Sequence, residues 1–259
     1  MTERDFSSLA GRVVLITGGS GHIGSTLASA FLEHGSAVVT ADLMGPPLLS
    51  NVDGPHRHLV ADVSDLAEVA DLPSRVLGEF DRLDVIVCAA AFVATSAAEG
   101  WNAPFEAQDE SLWDYALKVN LTANFALLRA AAEPLSAHGV GSAILFGSTY
   151  GLVAPQPSLY EGLPIDNVAG YAVSKAGVTQ LARWLATAMA PDVRVNALTP
   201  GGVFRGHDPE FARRYQERTP LARMASEEDL VGPALFLASD LASYITGHNL
   251  VVDGGFTVW

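Results

Sequence analysis

The sequence predicts an α/β chain built on one parallel, doubly wound sheet with helices on both faces. Three observations carry this. Apolar runs of buried-strand length alternate with segments of helical period from residue 12 to residue 253. The first of these strands runs into a glycine-rich turn and then directly into a helix, which is how such sheets begin when they bind a phosphate at the turn. No repeat, low-complexity tract or shift of composition divides the 259 residues, so residues 1–259 read as a single domain.

The first strand is Arg12-Val-Val-Leu-Ile-Thr17, and it meets Gly18-Gly19-Ser20-Gly21-His22-Ile23-Gly24 before a helical pattern that reaches His34. Glycines let the backbone turn sharply and approach a pyrophosphate, while the free N–H groups at the helix start favour the anion. The second strand, from Ser36, ends at Asp42 and is followed by Leu43. An acidic residue at that distance from the glycine loop is placed to accept hydrogen bonds from adenosine ribose hydroxyls and to repel a 2′-phosphate. No Arg or Lys occurs from residue 18 to residue 56, so NAD is expected rather than NADP. The competing reading is that Asp42 caps the turn before Gly45-Pro46-Pro47.

The linker to a third strand, Arg57–Ala61, is rich in Pro and Gly, so a crossover helix there is expected to be reduced or missing. Asp62-Val63 follows, then a helix to Phe80 with Ser64 as its expected N-cap, then a fourth strand, Leu83–Cys88. Ala89-Ala90-Ala91 leaves space for a ligand beside the backbone and is equally compatible with plain packing. Residues 92–109 read as loop, with Trp101 and Phe105 either core or pocket lining.

A long helical region from Ser111 to Leu135 carries Asn120 among apolar neighbours, and a buried amide must find partners. The fifth strand, Gly141–Phe146, runs into Gly147-Ser148, which makes Ser148 a site candidate because doubly wound sheets bind ligands at the carboxyl ends of their strands. After a loop spanning 151–170, Tyr171 and Lys175 stand four residues apart on a predicted helix. That spacing places phenol and ammonium on one face, where a cation favours the phenolate of a group that otherwise loses its proton near pH ~10. The same spacing also describes an ordinary surface pair. A sixth strand, Asp192–Ala197, leads to Thr199-Pro200-Gly201-Gly202-Val203. Residues 204–225 read as a mobile, partly helical flap with five arginines, Ser226–Ala238 as the last long helix and His248–Gly255 as the closing strand. The segments 151–170 and 204–225 are the expected substrate-side loops.

Composition narrows the function. A net charge of −14 with 15 Lys plus Arg argues against nucleic-acid or anionic-membrane binding. There is no run of about 18 uncharged apolar residues and no basic-then-apolar start, so a cytoplasmic protein is expected. One cysteine, Cys88, excludes an internal disulfide, and the closest histidine pair, His56 and His58, has no third ligand nearby in sequence, so no metal site is expected.

In order and spacing, Thr17-Gly18 through Ile23-Gly24, Asp62-Val63, Asn120, Ser148, Tyr171-x-x-x-Lys175, Pro200-Gly201 and Val252-Asp253-Gly254-Gly255 resemble the single-domain short-chain dehydrogenases/reductases over about residues 10–255. The resemblance implies a Rossmann-type fold and an NAD(H)-dependent interconversion of a secondary alcohol and a ketone. It implies Tyr171 as acid/base, Lys175 lowering its pKa and holding the nicotinamide ribose, Ser148 orienting the substrate oxygen and Asn120 supporting a proton relay. It further implies cofactor contacts from Gly18, Ser20, His22, Ile23, Gly24, Asp42, Leu43, Asp62, Val63, Ala89, Ala90, Pro200, Gly201 and Val203, and a homo-oligomer, tetramer or dimer, built on the helices after the fourth and fifth strands.

Two departures stand out. His22 occupies a position where the family usually has glycine, a spacing more like its longer sugar-nucleotide members, and Cys88-Ala89-Ala90-Ala91 replaces Asn-Asn-Ala-Gly. The longer loop with Tyr150-Gly151, Pro155 and Tyr160-Glu161-Gly162 is similar to oxidoreductases of nonulosonic-acid and flagellin-sugar biosynthesis, which points to a sugar derivative as substrate. Two other functions fit the same fold: a sugar-nucleotide epimerase or dehydratase that retains NAD, and a binding protein that senses NAD without turnover.

Overall fold

The computed structural model describes residues 5–49, 54–93, 100–163 and 167–259. Parts of three loop readings, residues 50–53, 94–99 and 164–166, lie outside the described residues. Seven strands, β1 (Val13–Thr17), β2 (Ala37–Asp42), β3 (His56–Val60), β4 (Val85–Cys88), β5 (Gly141–Phe146), β6 (Val193–Pro200) and β7 (Asn249–Val252), form one sheet in the order β3-β2-β1-β4-β5-β6-β7. Every pairing is parallel.

The continuous apolar runs make sense once both faces are covered. In β1, Val13 and Leu15 point to one face, where they join Leu72 and Val76 of α2 (Leu66–Phe80), Leu127 and Leu128 of α4 (Ala123–Ala130) and Val178, Ala182 and Leu185 of α6 (Ala169–Ala188). Val14 and Ile16 point to the other, against Leu27 and Phe31 of α1 (His22–Glu33) and Leu235 and Leu237 of α8 (Val231–Ala238). The two-residue period of the strand thus splits its side chains between two cores. Buried Asp84 ties the sheet at its opposite end: it accepts from the Val13 amide at 2.8 Å and from Arg82 through both carboxylate oxygens.

Among the described residues no helix lies between β2 and β3, as the Pro- and Gly-rich linker suggested. The N-cap of α2 is Asp65 rather than Ser64. The Ser64 amide is taken by the Asp62 carboxylate at 2.7 Å, so the chain is still turning at that point, and Asp65 is the first side chain free to accept from the helix, at Ala67 and Glu68. The long helical region divides into α3 (Glu110–Leu117), a π turn over Lys118–Thr122, α4 and α5 (Ala132–Ser136). Its polar residue, Asn120, sits in the π turn, a distortion that often accompanies functional positions.

The last long helix is also shorter than expected, with a 3-10 turn at Glu228–Leu230 ahead of α8. Pro233 has no N–H to donate to the main-chain carbonyl of residue 229, and the Asp229 carboxylate accepts from the Ser226 amide and Arg223 ahead of the helix. Residues 204–225 are anchored through α7 (Pro209–Arg218), whose Phe211, Ala212 and Tyr215 are buried with Leu159, Met224 and Phe256. Four of their five arginines pair with carboxylates: Arg205 with Glu227, Arg213 and Arg214 with Glu210, and Arg223 with Asp229. Among the described residues no helix is long and apolar enough to cross a membrane.

Candidate active site

Strand order reverses between β1 and β4, and at such a switch point the loops leaving the two strands diverge and open a crevice. The glycine loop forms one wall. Gly18 has φ +70°, and a Cβ there would stand 2.6 Å from the Ala90 amide nitrogen, so Gly18 and Ala90 meet backbone to backbone. At Gly24 a Cβ would stand 2.1 Å from the Gly18 carbonyl oxygen. Both positions therefore require glycine, and the loop is folded tightly on itself at the start of α1.

That helix begins at His22 with Gly21 as its N-cap and no capping side chain, which leaves its first amides without an acceptor from the cap. His22 is exposed as the first helical residue, and Ile23 packs against the α8 face of the core. Ser20 and Asp42 are joined, with the Ser20 amide donating to the Asp42 carboxylate at 3.0 Å. The other carboxylate oxygen accepts from the Met44 amide at 3.0 Å, so the turn-capping role is real. It uses one lone pair on each oxygen and leaves the others available. Leu43 is exposed beside it, and Asp62 and Val63 follow β3 on the same edge. His56 and His58 both direct a ring nitrogen to the Thr40 hydroxyl, at 2.9 and 3.0 Å.

The opposite wall carries the candidate chemistry. Ser148 follows β5, with the Tyr150 amide donating to its hydroxyl at 3.3 Å. The Tyr171 phenol is influenced by the Ser148 hydroxyl, whose hydrogen bond pulls its pKa down, but burial outweighs this and holds Tyr171 above its ordinary value. Lys175 is buried, one turn further along α6. Its ammonium donates to the Phe146 carbonyl at 2.8 Å and lies 5.8 Å from the centroid of the Tyr171 ring. Burial lowers Lys175 to about 8.

Ser148 and Arg205 pull the Tyr171 phenol down, less than burial raises it. Lys175 stands beside that ring with one of its three donors on the Phe146 carbonyl. Asn120 is held through both ends of its side-chain amide. Its amide oxygen accepts from the Phe92 amide at 2.7 Å, and its nitrogen donates to the Phe92 carbonyl and the Ser174 hydroxyl, both at 3.0 Å. It ties the loop after β4 to the catalytic-candidate helix.

Pro200 ends β6, and Gly201 is pressed against Asp253, where a Cβ would lie 2.9 Å from its Cα. Val203 bridges to Ala225. Trp101 is buried and Phe105 exposed, and both line a small cavity beside Val168–Gly170. Sequence reasoning gave no role to Ser174, although it stands inside the Tyr171-to-Lys175 motif, or to Tyr215, and it used Tyr150 and Tyr160 only as marks of the loop's resemblance. Tyr150 and Tyr160 join hydroxyl to hydroxyl, and the Tyr215 hydroxyl accepts from the Gly202 amide at 2.6 Å.

A family model described as enoyl-(acyl carrier protein) reductase matches residues 19–257. A short-chain dehydrogenase from Leptospira borgpetersenii, solved with bound NAD+, superimposes with a TM-score of 0.87 at 32% identity, covering 99% of this chain and 97% of that one. The chain belongs to the short-chain dehydrogenase/reductase family. Within it, D-threitol dehydrogenase of Mycolicibacterium smegmatis is 31% identical, with 96% of this chain and 94% of that protein covered. The ribulose-forming D-arabinitol 2-dehydrogenase of Candida tropicalis is 33% identical, with 97% and 94% covered. Structural neighbours in this family hold NADP as well as NAD+.

Proposed function

We propose that this short-chain dehydrogenase/reductase is a cytoplasmic, NAD(H)-dependent enzyme that interconverts a secondary alcohol of a sugar or polyol and the corresponding ketone, with Tyr171 as acid/base. The observation that carries the reading is the meeting of Ser148, Tyr171 and Lys175 across the crevice from the tight loop of Gly18 and Gly24. The polyol dehydrogenases among its relatives support the substrate class.

The residues fit a dinucleotide. Gly18, Ser20, His22, Ile23 and Gly24 would hold the pyrophosphate, because side-chain-free backbone and uncapped amides converge there. Asp42 and Leu43 would hold the adenosine ribose and Asp62 and Val63 the adenine. Ala89, Ala90, Tyr171, Lys175, Pro200, Gly201 and Val203 would hold the nicotinamide end. When bound, the cofactor supplies the acceptor or donor of hydride. The chain's own work is proton transfer: Tyr171 takes the hydroxyl proton in oxidation and returns it in reduction, while Ser148 orients the same oxygen.

A screen of sugars, polyols and simple alcohols for reduction of the nicotinamide tests this, and no turnover of any secondary alcohol would reject it. For the cofactor, Asp42 next to a 2′-phosphate costs about 1–2 kcal/mol of repulsion in a partly solvated site. NAD is therefore expected to bind about tenfold tighter than NADP, and Asp42→Ala to remove most of that preference. Titration of both proteins with both dinucleotides decides it, and equal or tighter NADP binding by the unaltered chain overturns the NAD assignment. Phe125 on α4 and Val173 and Trp184 on α6 are exposed, which supports a homo-oligomer built on those helices, and light scattering of the purified protein tests it.

A further inference from the structure

We propose that Tyr150 and Tyr160 form a subsite that binds a hydroxyl neighbouring the reacting carbon, and so select polyhydroxylated alcohols over simple ones. The inference deepens the function proposed above and rests on it.

The pair is built into the site from two directions. Tyr150 belongs to the 3-10 turn that starts at Ser148, and that turn lies flat on α6: a Cβ on Gly151 would stand 2.6 Å from the Lys175 carbonyl carbon. Tyr150 is therefore carried by the same turn that presents Ser148 and is pressed against the helix of Tyr171 and Lys175. Tyr160 arrives from the other side, on the loop after the 3-10 turn Pro157–Leu159. Its ring packs on Phe211 of α7 with centroids 5.5 Å apart, and Arg214 of α7 donates to the Ser158, Leu159 and Glu161 carbonyls around it. The two phenols then meet hydroxyl to hydroxyl.

Their position relative to the acid/base follows from the turn that carries Tyr150: it lies two residues after Ser148, its amide donating to the Ser148 hydroxyl, and Tyr160 joins it hydroxyl to hydroxyl. The raising of Tyr171 by Tyr160 agrees with that placement. Burial keeps Tyr150 far above its ordinary pKa, so its phenol stays neutral throughout the working range. A neutral phenol both donates and accepts, as an alcohol hydroxyl does, whereas a charged side chain would offer only one of the two. Sites that hydrogen-bond a substrate hydroxyl reject analogues lacking it strongly, because the site's own polar groups are left without that partner.

The test compares D-threitol and D-arabinitol with cyclohexanol in the NAD+-loaded wild type and in Tyr160→Phe and Tyr150→Phe. The expected result is a fall of at least about tenfold in the polyol-to-cyclohexanol ratio of kcat/KM, the scale of one lost substrate hydrogen bond. An equal loss on both substrate types, or an unchanged ratio, overturns the subsite. Thermal stabilisation of the NAD+-loaded proteins by each polyol is read alongside. If the wild type oxidises none of these alcohols, the subsite survives only if polyol stabilises the wild type and not the variants, and the catalytic reading fails only if the wider screen of secondary alcohols also gives no turnover. Absence of polyol stabilisation together with absence of turnover overturns the subsite.

Discussion

Tyr171→Phe is expected to lower turnover by about a thousandfold, within the usual range for loss of a general acid/base, while NAD affinity stays within about threefold of the wild type. The change removes one oxygen. The ring still packs with Trp101, Ala116 and Val168, and Asn120 still fixes α6 to the Phe92 loop through Ser174, so the helix keeps its place. The Ser148 hydroxyl loses an interaction of about 1 kcal/mol, too little to unfold the chain. Because burial holds the wild-type phenol above its ordinary pKa, Tyr171 is protonated at neutral pH. Ketone reduction, which needs the acid, should be nearly flat from neutral pH to about pH 9. Alcohol oxidation, which needs the base, should climb through the same interval. The variant should lose that slope along with its rate. Steady-state rates in both directions across pH, with cofactor titration as the control, give the answer, and an undiminished rate removes Tyr171 from the chemistry.

Much of this was legible in the chain because the sheet is buried on both faces. Val13–Thr17, Ala37–Ala41 and Gly141–Phe146 are buried from end to end and largely apolar, with one hydroxyl residue in each, and a buried parallel strand leaves that mark without help from anything distant. The glycine loop and Asp42 were equally visible, since backbone proximity at Gly18 and Gly24 has no other solution. Helix starts were not: Ser64 and Asp65 are both good caps, and the choice was made by Asp62 reaching the Ser64 amide.

What stayed hidden is what depends on contacts across the fold. Nothing in residues 118–122 announces that Asn120 reaches Phe92 and Ser174, and nothing around Lys175 announces that its ammonium donates to the Phe146 carbonyl. The Tyr150 and Tyr160 pair is hidden for the same reason. Two tyrosines ten residues apart in a loop have no periodicity to betray them, and only α7, arriving from fifty residues further on, sets their encounter.

Lys175→Met should abolish turnover and, at the same time, make the protein more stable. The ammonium is buried, with the Phe146 carbonyl as its hydrogen-bond acceptor, and burial depresses it from 10.5 to about 8. A lysine so depressed costs the folded state about 3 kcal/mol wherever both folded and unfolded chains carry the proton. Methionine of similar length removes that cost but leaves the Phe146 carbonyl without its donor, which takes back about 1–2 kcal/mol. The net gain, about 1–2 kcal/mol at neutral pH, should raise the melting temperature by a few degrees.

The sign of its pH dependence is the stronger check. Below about 8 the penalty is complete. Between about 8 and 10.5 the folded lysine gives up its proton while the unfolded one keeps it, so the wild type gains stability as pH rises and the advantage of the variant shrinks away. The neighbouring groups leave this window clear, since burial pushes Cys88 up to about 12 and holds Tyr171 above its ordinary value. Denaturant melts of both proteins from neutral pH to about pH 10 would show the two stability curves converging. Parallel curves would mean that the ammonium is better solvated than its burial implies, and would weaken the case that a costly buried charge is retained at this position for catalysis.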